Sequence, residues 1–464
     1  MNRITSILIL LTLLYAFSCT SNSSPKIEMI ASWDGWGNDL LITDRQDIYV
    51  TGYNTSSTSN SVFIGLIDTK YKIIDIGHNL ASDYYIEGFA INEDANGFLI
   101  TAGEFSNSLI YEQNENTYQI SAQSEYETYI AKISCSGDVI WVNTWPAIYP
   151  PSWESGSHAI NKYYSIDIDY NNNIFIGGQY FKLLSDESET NYYYLPEGSQ
   201  VEESYIKGFD AGGNLMWNME HIGISTGFVL DKYGNIYSTG VKGISQTASG
   251  NTDLFTNSNF PIFYITKYSN DGSIIFDIEF KELKLDERTG YFYPQSIYTI
   301  NHGDNIVIVG IFQQSPLQVV SNNDTMTGAD QIYRIIFSQL GEIISSTKLI
   351  NTSNDSFISI IGGKEIMEEE YLIGDVNGSL SDLGTIRKFG EGGSQDILIL
   401  TIINNKLSEG IVIGGKEMDW IKQVSVKNKN DIIITGQFSE SLATDLEFKG
   451  ADHYGIGMVL RISK

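Results

Sequence analysis

The chain has 464 residues, 42% of them hydrophobic, with 43 Gly, 29 Tyr and only 8 Pro. That is enough apolar material for a large core, in a composition that suits many short strands and tight turns better than helices. Its 28 Lys plus Arg stand against 57 Asp plus Glu, and the net charge of −29 repels a phosphate backbone and argues against nucleic acid as a partner. The acids are scattered apart from "EEE" at 368–370, which reads as a solvated turn.

The N-terminal stretch "MNRITSILILLTLLYAFSC" carries Arg3, then an apolar run from Ile7 to Phe17, then Ser18 and Cys19. The run is too short to span a bilayer and has the pattern of a signal peptide, residues 1–18. Ser18 and Cys19 resemble the end of the lipobox of prokaryotic lipoproteins, although Ala16 and Phe17 depart from its usual residues. The resemblance implies an exported protein at the cell envelope or outer surface, held to a membrane by a lipid on Cys19; simple cleavage nearby, giving a secreted protein, is the alternative. Residues 19–25 then read as a polar tether and residues 26–464 as one domain. With Cys19 consumed, Cys135 in "SCSGD" has no partner for a disulfide, so the domain is held by its core.

From there the chain repeats itself. "DRQDIYVTG" (44–52), "INEDANGFLITAG" (91–103), "DYNNNIFIGG" (169–178), "DKYGNIYSTG" (231–240), "INHGDNIVIVG" (300–310), "KEIMEEEYLIG" (364–374) and "KNKNDIIITG" (427–436) each run from a polar turn into a strand that stops at glycine. The terminal residues are Gly52, Gly103, Gly178, Gly240, Gly310, Gly374 and Gly436. An apolar alternation such as "YYSIDID" (163–169) precedes the turn; a strand such as "YIAKIS" (129–134) follows a variable loop, and a tight turn leads to a fourth strand such as "VIWVNTW". Period-2 runs separated by turn residues are antiparallel hairpins, and four strands per repeat make the blade of a β-propeller, which cannot bury both faces alone. The expected fold is all-β, a seven-bladed propeller of four-stranded antiparallel blades. The last copy stops after its third strand, "GMVLRIS" (457–463), while "KIEMIASW" (26–33) reads like a fourth strand. The N-terminus is therefore expected to complete the last blade and leave no open edge.

"DKYGNIYSTG", "YIAKISCSGDVIW" and "GADHYGIGMVLRI" (450–462) resemble the SBBP-type seven-bladed β-propeller repeat, over essentially residues 26–464. The resemblance implies the fold and an exported protein, and little chemistry. The sixth copy lacks the turn consensus, and Trp occupies the fourth-strand position only at Trp141 and Trp217. "SGDVIW" and "GGNLMW" are similar to the docking motif of quinoprotein propellers, but the Asp that motif requires is absent, which leaves shared blade geometry.

In a blade, the second-to-third loops and the blade-to-blade loops share one face. The turns of the opposite face are short, whereas the long segments (104–128, 179–204, 241–261, 311–331, 375–395, 437–455, 143–162 and 279–293) fall on the first, where a rigid scaffold acquires its binding sites. Two of them carry aromatics beside carboxylates: Trp145, Tyr149 and Trp153 in one, Tyr192, Tyr193 and Tyr194 in the other. These are the candidate ligand residues, suited to a sugar ring or a protein partner; covering the rim of neighbouring blades is the competing role.

No catalytic residue and no cofactor is indicated. Asn92, Asp94, Asn96 and Gly97 imitate the start of a calcium loop, but Gly103 stands where its bidentate Glu belongs, so a β-turn is expected. The five histidines are dispersed without metal-ligand spacing. The sequence thus reads as a monomeric binding or protein-interaction module, with an extracellular propeller enzyme (a carbohydrate-active hydrolase or lyase, or a quinoprotein) as the alternative.

Overall fold

The computed structural model describes residues 26–463 apart from 55–60, 147–164, 184–187, 190–193, 196–199, 243–261, 315–330, 352–356, 378–385, 390–395, 414–419, 439–455 and shorter stretches between. The described residues hold strands and no helix. They form successive four-stranded antiparallel units of the β-propeller type, in which strands pair in chain order. The second unit shows the pattern: Tyr85–Glu93 pairs with Leu99–Ser106, which pairs with Glu127–Ile133, which pairs with Val139–Pro146.

The N-terminal strand, Lys26–Ile42, belongs to two units. Its first half pairs with Ile456–Ser463, Lys26 opposite Ser463, and its second half pairs with Ile48–Asn54 as the inner strand of the first unit. Chain start and chain end thus share one sheet.

The polar phrase that recurs along the sequence is a five-residue hairpin turn. In 231–235, the Asp231 N–H donates to the Asn235 carbonyl (2.9 Å), the Gly234 N–H donates to the Asp231 carbonyl (3.0 Å), and Gly234 has φ +80°. Asp231 Oδ1 accepts from the Tyr233 and Asn235 N–H groups and Oδ2 from Asn235 Nδ2, each at 2.9 Å. The Asp is there to fold the turn, and the glycine supplies its left-handed residue. The supposed calcium loop does the same: Asp94 Oδ1 accepts from Asn96 N at 2.8 Å and Phe98 N at 3.0 Å.

A cation from the third strand then holds each of these turns to its unit, with Lys132 Nζ 2.6 Å from Asp94 and Lys267 Nζ 3.4 Å from Asp231. In the last unit, Arg461 grips Asp431 at 2.8 and 2.9 Å.

The phrase-ending glycine faces a β-bulge. Six of the seven pair with an inner-strand residue beside a register shift: Gly52 with Gly37, Gly103 with Gly88, Gly240 with Ser225, Gly310 with Pro294, Gly374 with Ile360 and Gly436 with Ile421. The bulge twists the inner strand and pushes a carbonyl into the space of a side chain. A Cβ would strike the Glu87 oxygen at Gly103, the Tyr293 oxygen at Gly310 and the Ser359 oxygen at Gly374. Gly374→Ala is therefore expected to lower stability by about 1–3 kcal/mol through overpacking, read as a lower urea midpoint. Gly362→Ala in the same unit, whose added carbon would sit 3.7 Å from its nearest neighbour, should change little.

The apolar clusters lie between units. One joins Tyr49 and Ile64 of the first to Leu99 and Tyr129 of the second; another joins Ile30, Trp33 and Val459 to Leu40 and Val50, the last unit against the first. The fourth-strand aromatic docks on the next unit's turn glycine. Trp141 lies over Gly213, Trp217 over Gly272 and Phe276 over Gly341, so Phe fills the place that Trp holds elsewhere. Trp217 Nε1 also donates to the Asn270 carbonyl at 2.8 Å.

Two of the long segments carry strands of their own, and one sequence expectation needs correction. Segment 104–128 is a structured insertion, whose hairpin Ser108–Gln113 and Asn116–Ser121 adds to Leu80–Ser82 as a three-stranded sheet. Segment 279–293 supplies Leu283–Leu285, which pairs with the fifth unit's inner strand. "EEE" at 368–370 is only partly solvated: Glu368 is an exposed turn residue, but Glu370 is buried and bound by Arg334. Alternation turns the third acid of the run inward, where a cation from the neighbouring unit meets it.

Candidate functional site

Within each unit the short turns lie at one end and the longer connections at the other. Short turns of adjacent units touch: Ala95 N donates to Asn172 Oδ1 at 2.8 Å, and Lys232 pairs with Asp304 at 2.5 Å. They therefore share a face, opposite the loop end.

At the loop end of the first two units, three half-buried tyrosines meet. Tyr53 follows the phrase-ending Gly52, Tyr85 opens the second unit's inner strand, and Tyr126 immediately precedes its third strand. The Tyr53 and Tyr85 ring centroids are 6.2 Å apart, and Tyr126 stands edge-on to Tyr85 at 5.9 Å.

Beneath them lies the buried Glu87. One carboxylate oxygen accepts from the Tyr85 hydroxyl, the other from Asn38 Nδ2 at 2.6 Å, and Asn38 also donates to the Gly88 carbonyl at 2.9 Å. Asn38 is the bulge residue between Gly37 and Asp39, and the bulge aims it into the neighbouring unit. Glu104, also buried, is the direct register partner of Glu87, which places two carboxylates on one face of the sheet. Aromatic faces over a hydrogen-bonded carboxylate can stack on a sugar ring and accept its hydroxyls.

Of the residues singled out from sequence, Trp145 is described and half-buried. Its ring lies edge-on to Tyr205 at 6.4 Å and tilted on Phe209 at 5.8 Å, with Lys207 Nζ 5.5 Å from its centroid. Burial between these rings lowers the Lys207 ammonium from its usual value, partly offset by Glu220. Trp145 thus packs across the second and third units. Tyr194 lies in the short strand Tyr194–Leu195, paired with Ser188–Glu189; its side chain, with Tyr149, Trp153, Tyr192, Tyr193 and Cys19, lies outside the described residues. The cluster of Tyr53, Tyr85, Tyr126, Asn38 and Glu87 went unseen because its members sit in separate elements. Its one local signal is "SDYYIEG" (82–88), aromatics beside an acid at the mouth of an inner strand.

The inner edges carry a second set of carboxylates. Asp39 accepts from the Ile91 N–H (2.7 Å) and from Gln423 Nε2 (2.9 Å), linking three units; Asp167 accepts from the Leu230 N–H at 3.1 Å. Each satisfies a backbone donor on the open edge of the next inner strand. Burial, resisted by these hydrogen bonds, pushes both carboxyls up to about 6 from 3.8.

Between those values the folded state holds more protons than the unfolded one, so these groups favour folding as pH falls. Going from about pH 7.5 to about pH 5, the urea midpoint should rise, with on the order of 2–3 kcal/mol from the pair. The Asp39→Asn/Asp167→Asn protein should lose that increment, and equal profiles would refute the assignment.

Among the described residues, no group of three His, Cys, Asp or Glu side chains is placed to hold a metal ion. Cys135 is free and exposed.

No family model matches the chain, and no curated protein does. Solved structures with a similar course include the ulvan lyase of polysaccharide lyase family PL25 bound to -[GlcA(1-4)Rha3S]-, at 12% identity and TM-score 0.45 over 80% of this chain and 82% of that one. A catalytically inactive virginiamycin B lyase from Staphylococcus aureus with quinupristin is 12% identical with TM-score 0.43, over 95% of this chain and all of that one. A putative oxidoreductase (glucose dehydrogenase) from Thermus thermophilus is 9% identical with TM-score 0.41, over 95% and 100%.

Proposed function

We propose that residues 26–464 form a seven-bladed propeller of the SBBP type, closed by the N-terminal strand, exported and held to a membrane by a lipid on Cys19. It serves as a binding module whose ligand is taken at the loop end. The observation that carries the binding role is the tyrosine and carboxylate cluster of Tyr53, Tyr85, Tyr126 and Glu87. Trp145 stands near the loop end of the second unit's fourth strand, and Tyr149, Trp153 and Tyr192 to Tyr194 are proposed to extend the same surface. An aromatic surface with a fixed acceptor fits a saccharide, whose apolar face stacks on the rings while its hydroxyls donate to the carboxylate.

A panel of immobilised glycans, probed with the intact protein, tests this. Binding that falls about tenfold or more in Tyr85→Ala and Tyr126→Ala supports it, whereas binding unaffected by both variants removes the cluster from the site.

The second reading, a carbohydrate-active hydrolase or lyase, draws on the opposed Glu87 and Glu104. Paired carboxylates flanking a glycosidic bond supply acid and base. Product released from a bound glycan, and lost in Glu104→Gln, would favour it over binding alone.

A further inference from the structure

The short-turn face carries a rim of exposed apolar residues around its polar turns, and Lys26, the first described residue after Cys19, lies at that face. In the third, fourth and fifth units the outer strand begins beside the third-to-fourth turn with exposed apolar residues, where a strand normally turns polar. Leu215 and Met216, Ile274 and Ile275, and Ile343 and Ile344 are pairs of this kind, each residue 40–57% exposed. Leu340 (74%) projects from the adjoining turn, while Tyr170 (70%) and Tyr233 (56%) crown first-to-second turns of the same face. Of the thirteen large hydrophobics exposed among the described residues, only Tyr84 and Tyr118 lie elsewhere. Scattered exposed apolar residues need no explanation, but a one-sided set does.

The N-terminal strand begins at the same end. Lys26 pairs with Ser463, which also pairs with Asp431 at the exit of a short turn. Residues 20–25 separate Lys26 from Cys19, and six residues reach at most about 20 Å. A lipid on Cys19 therefore holds this face, and not the loop end, within reach of the bilayer.

Charge fits the same contact. Two exposed cations there are matched by acids, Arg45 by Glu93 (2.7 Å) and Lys232 by Asp304 (2.5 Å), while Lys72 and Lys406 are exposed beside third-to-fourth turns, so a chain of net charge −29 meets lipid chiefly through apolar and tyrosine side chains.

We infer that the anchored protein docks its short-turn face on the lipid surface, through the apolar starts of its outer strands, and presents its loop end away from the membrane. This rests on the proposed lipid anchor at Cys19. The lipid on Cys19 tethers the protein through a flexible segment and leaves its orientation free, and the apolar rim is the second contact that fixes it.

Cys135, in a third-to-fourth turn of this face, is the one free thiol once Cys19 is acylated and serves as the probe. The full-length acylated protein, reconstituted in phosphatidylcholine vesicles bearing a headgroup nitroxide, is labelled there with a fluorophore. A second sample carries Tyr84→Cys, at the loop end, with Cys135→Ser. Quenching at Cys135 is expected to exceed that at position 84 by roughly threefold or more, and Leu215→Ser/Ile274→Ser/Ile344→Ser should cut it by at least about half without lowering thermal stability. Equal quenching at the two positions, stronger quenching at 84, or no effect of the triple variant overturns the docking while leaving the anchor in place. Absence of acyl label on Cys19 overturns the anchor, and the docking with it.

Discussion

Glu370→Ala is expected to cost about 3–5 kcal/mol, because it strands a buried guanidinium. Arg334 is fully buried in the fifth unit's third strand and reaches across to Glu370 in the sixth, Nε to Oε2 at 2.7 Å and Nη2 to Oε1 at 2.5 Å. Tyr298, on the fifth unit's inner strand, adds a hydroxyl donated to Oε2 at 2.6 Å. Burial first, then the Glu370 charge, pushes the Tyr298 phenol well above its usual pKa, so it remains a donor at any ordinary pH. The three buried side chains tie two units together, Arg334 and Tyr298 of the fifth to Glu370 of the sixth. In a domain of this size the loss appears as a fall of roughly 5 °C in Tm and a clear drop in urea midpoint. Arg334→Met/Glu370→Leu removes both charges and should be much milder than either single change. A Glu370→Ala protein as stable as its parent would show that the pair is solvated.

A chain that begins at Asp34 instead of Lys26 should be more damaged still. Residues 26–33 contribute Ile30 and Trp33 to the cluster between the last and first units, and burial of those two side chains alone is worth roughly 4–6 kcal/mol. Their removal also bares the edge of Ile456–Ser463, whose ladder runs from Lys26↔Ser463 to Asp34↔Ile456. An exposed edge strand recruits other chains, so the shortened protein is expected to melt at least about 5 °C lower and to associate. Light scattering and calorimetry against the chain beginning at Lys26 measure both. Unchanged melting would mean that the last unit stands on three strands, which would remove closure from the proposed architecture.

The repeat was legible because its causes are local. Asp231, Gly234 and Asn235 fold their turn with hydrogen bonds inside five residues, and Gly374 meets the Ser359 carbonyl across the same hairpin. Such features print a pattern on the sequence wherever they recur. The role of Lys132 and Lys267 was half legible: they keep a fixed place in the third strand, but only the folded unit shows that they close on Asp94 and Asp231.

The candidate site was not legible. Asn38, Tyr53, Tyr85 and Tyr126 lie in different strands or loops of two units, and a bulge aims Asn38 at Glu87. Trp145, conspicuous among prolines in the sequence, packs against Tyr205 and Phe209 across the second and third units. Glu370 looked like part of an exposed acidic run until Arg334 from another unit met it.

The sequence by itself determined the all-β class, the four-strand unit, the turn chemistry and the acidic charge, since period-2 alternation and turn residues act within a hairpin. Only the tertiary structure decided which side chains of different units converge at the loop end, which acids are buried, and that the exposed apolar residues gather on one face. Those are contacts between residues far apart in the chain, where the sequence leaves no local mark.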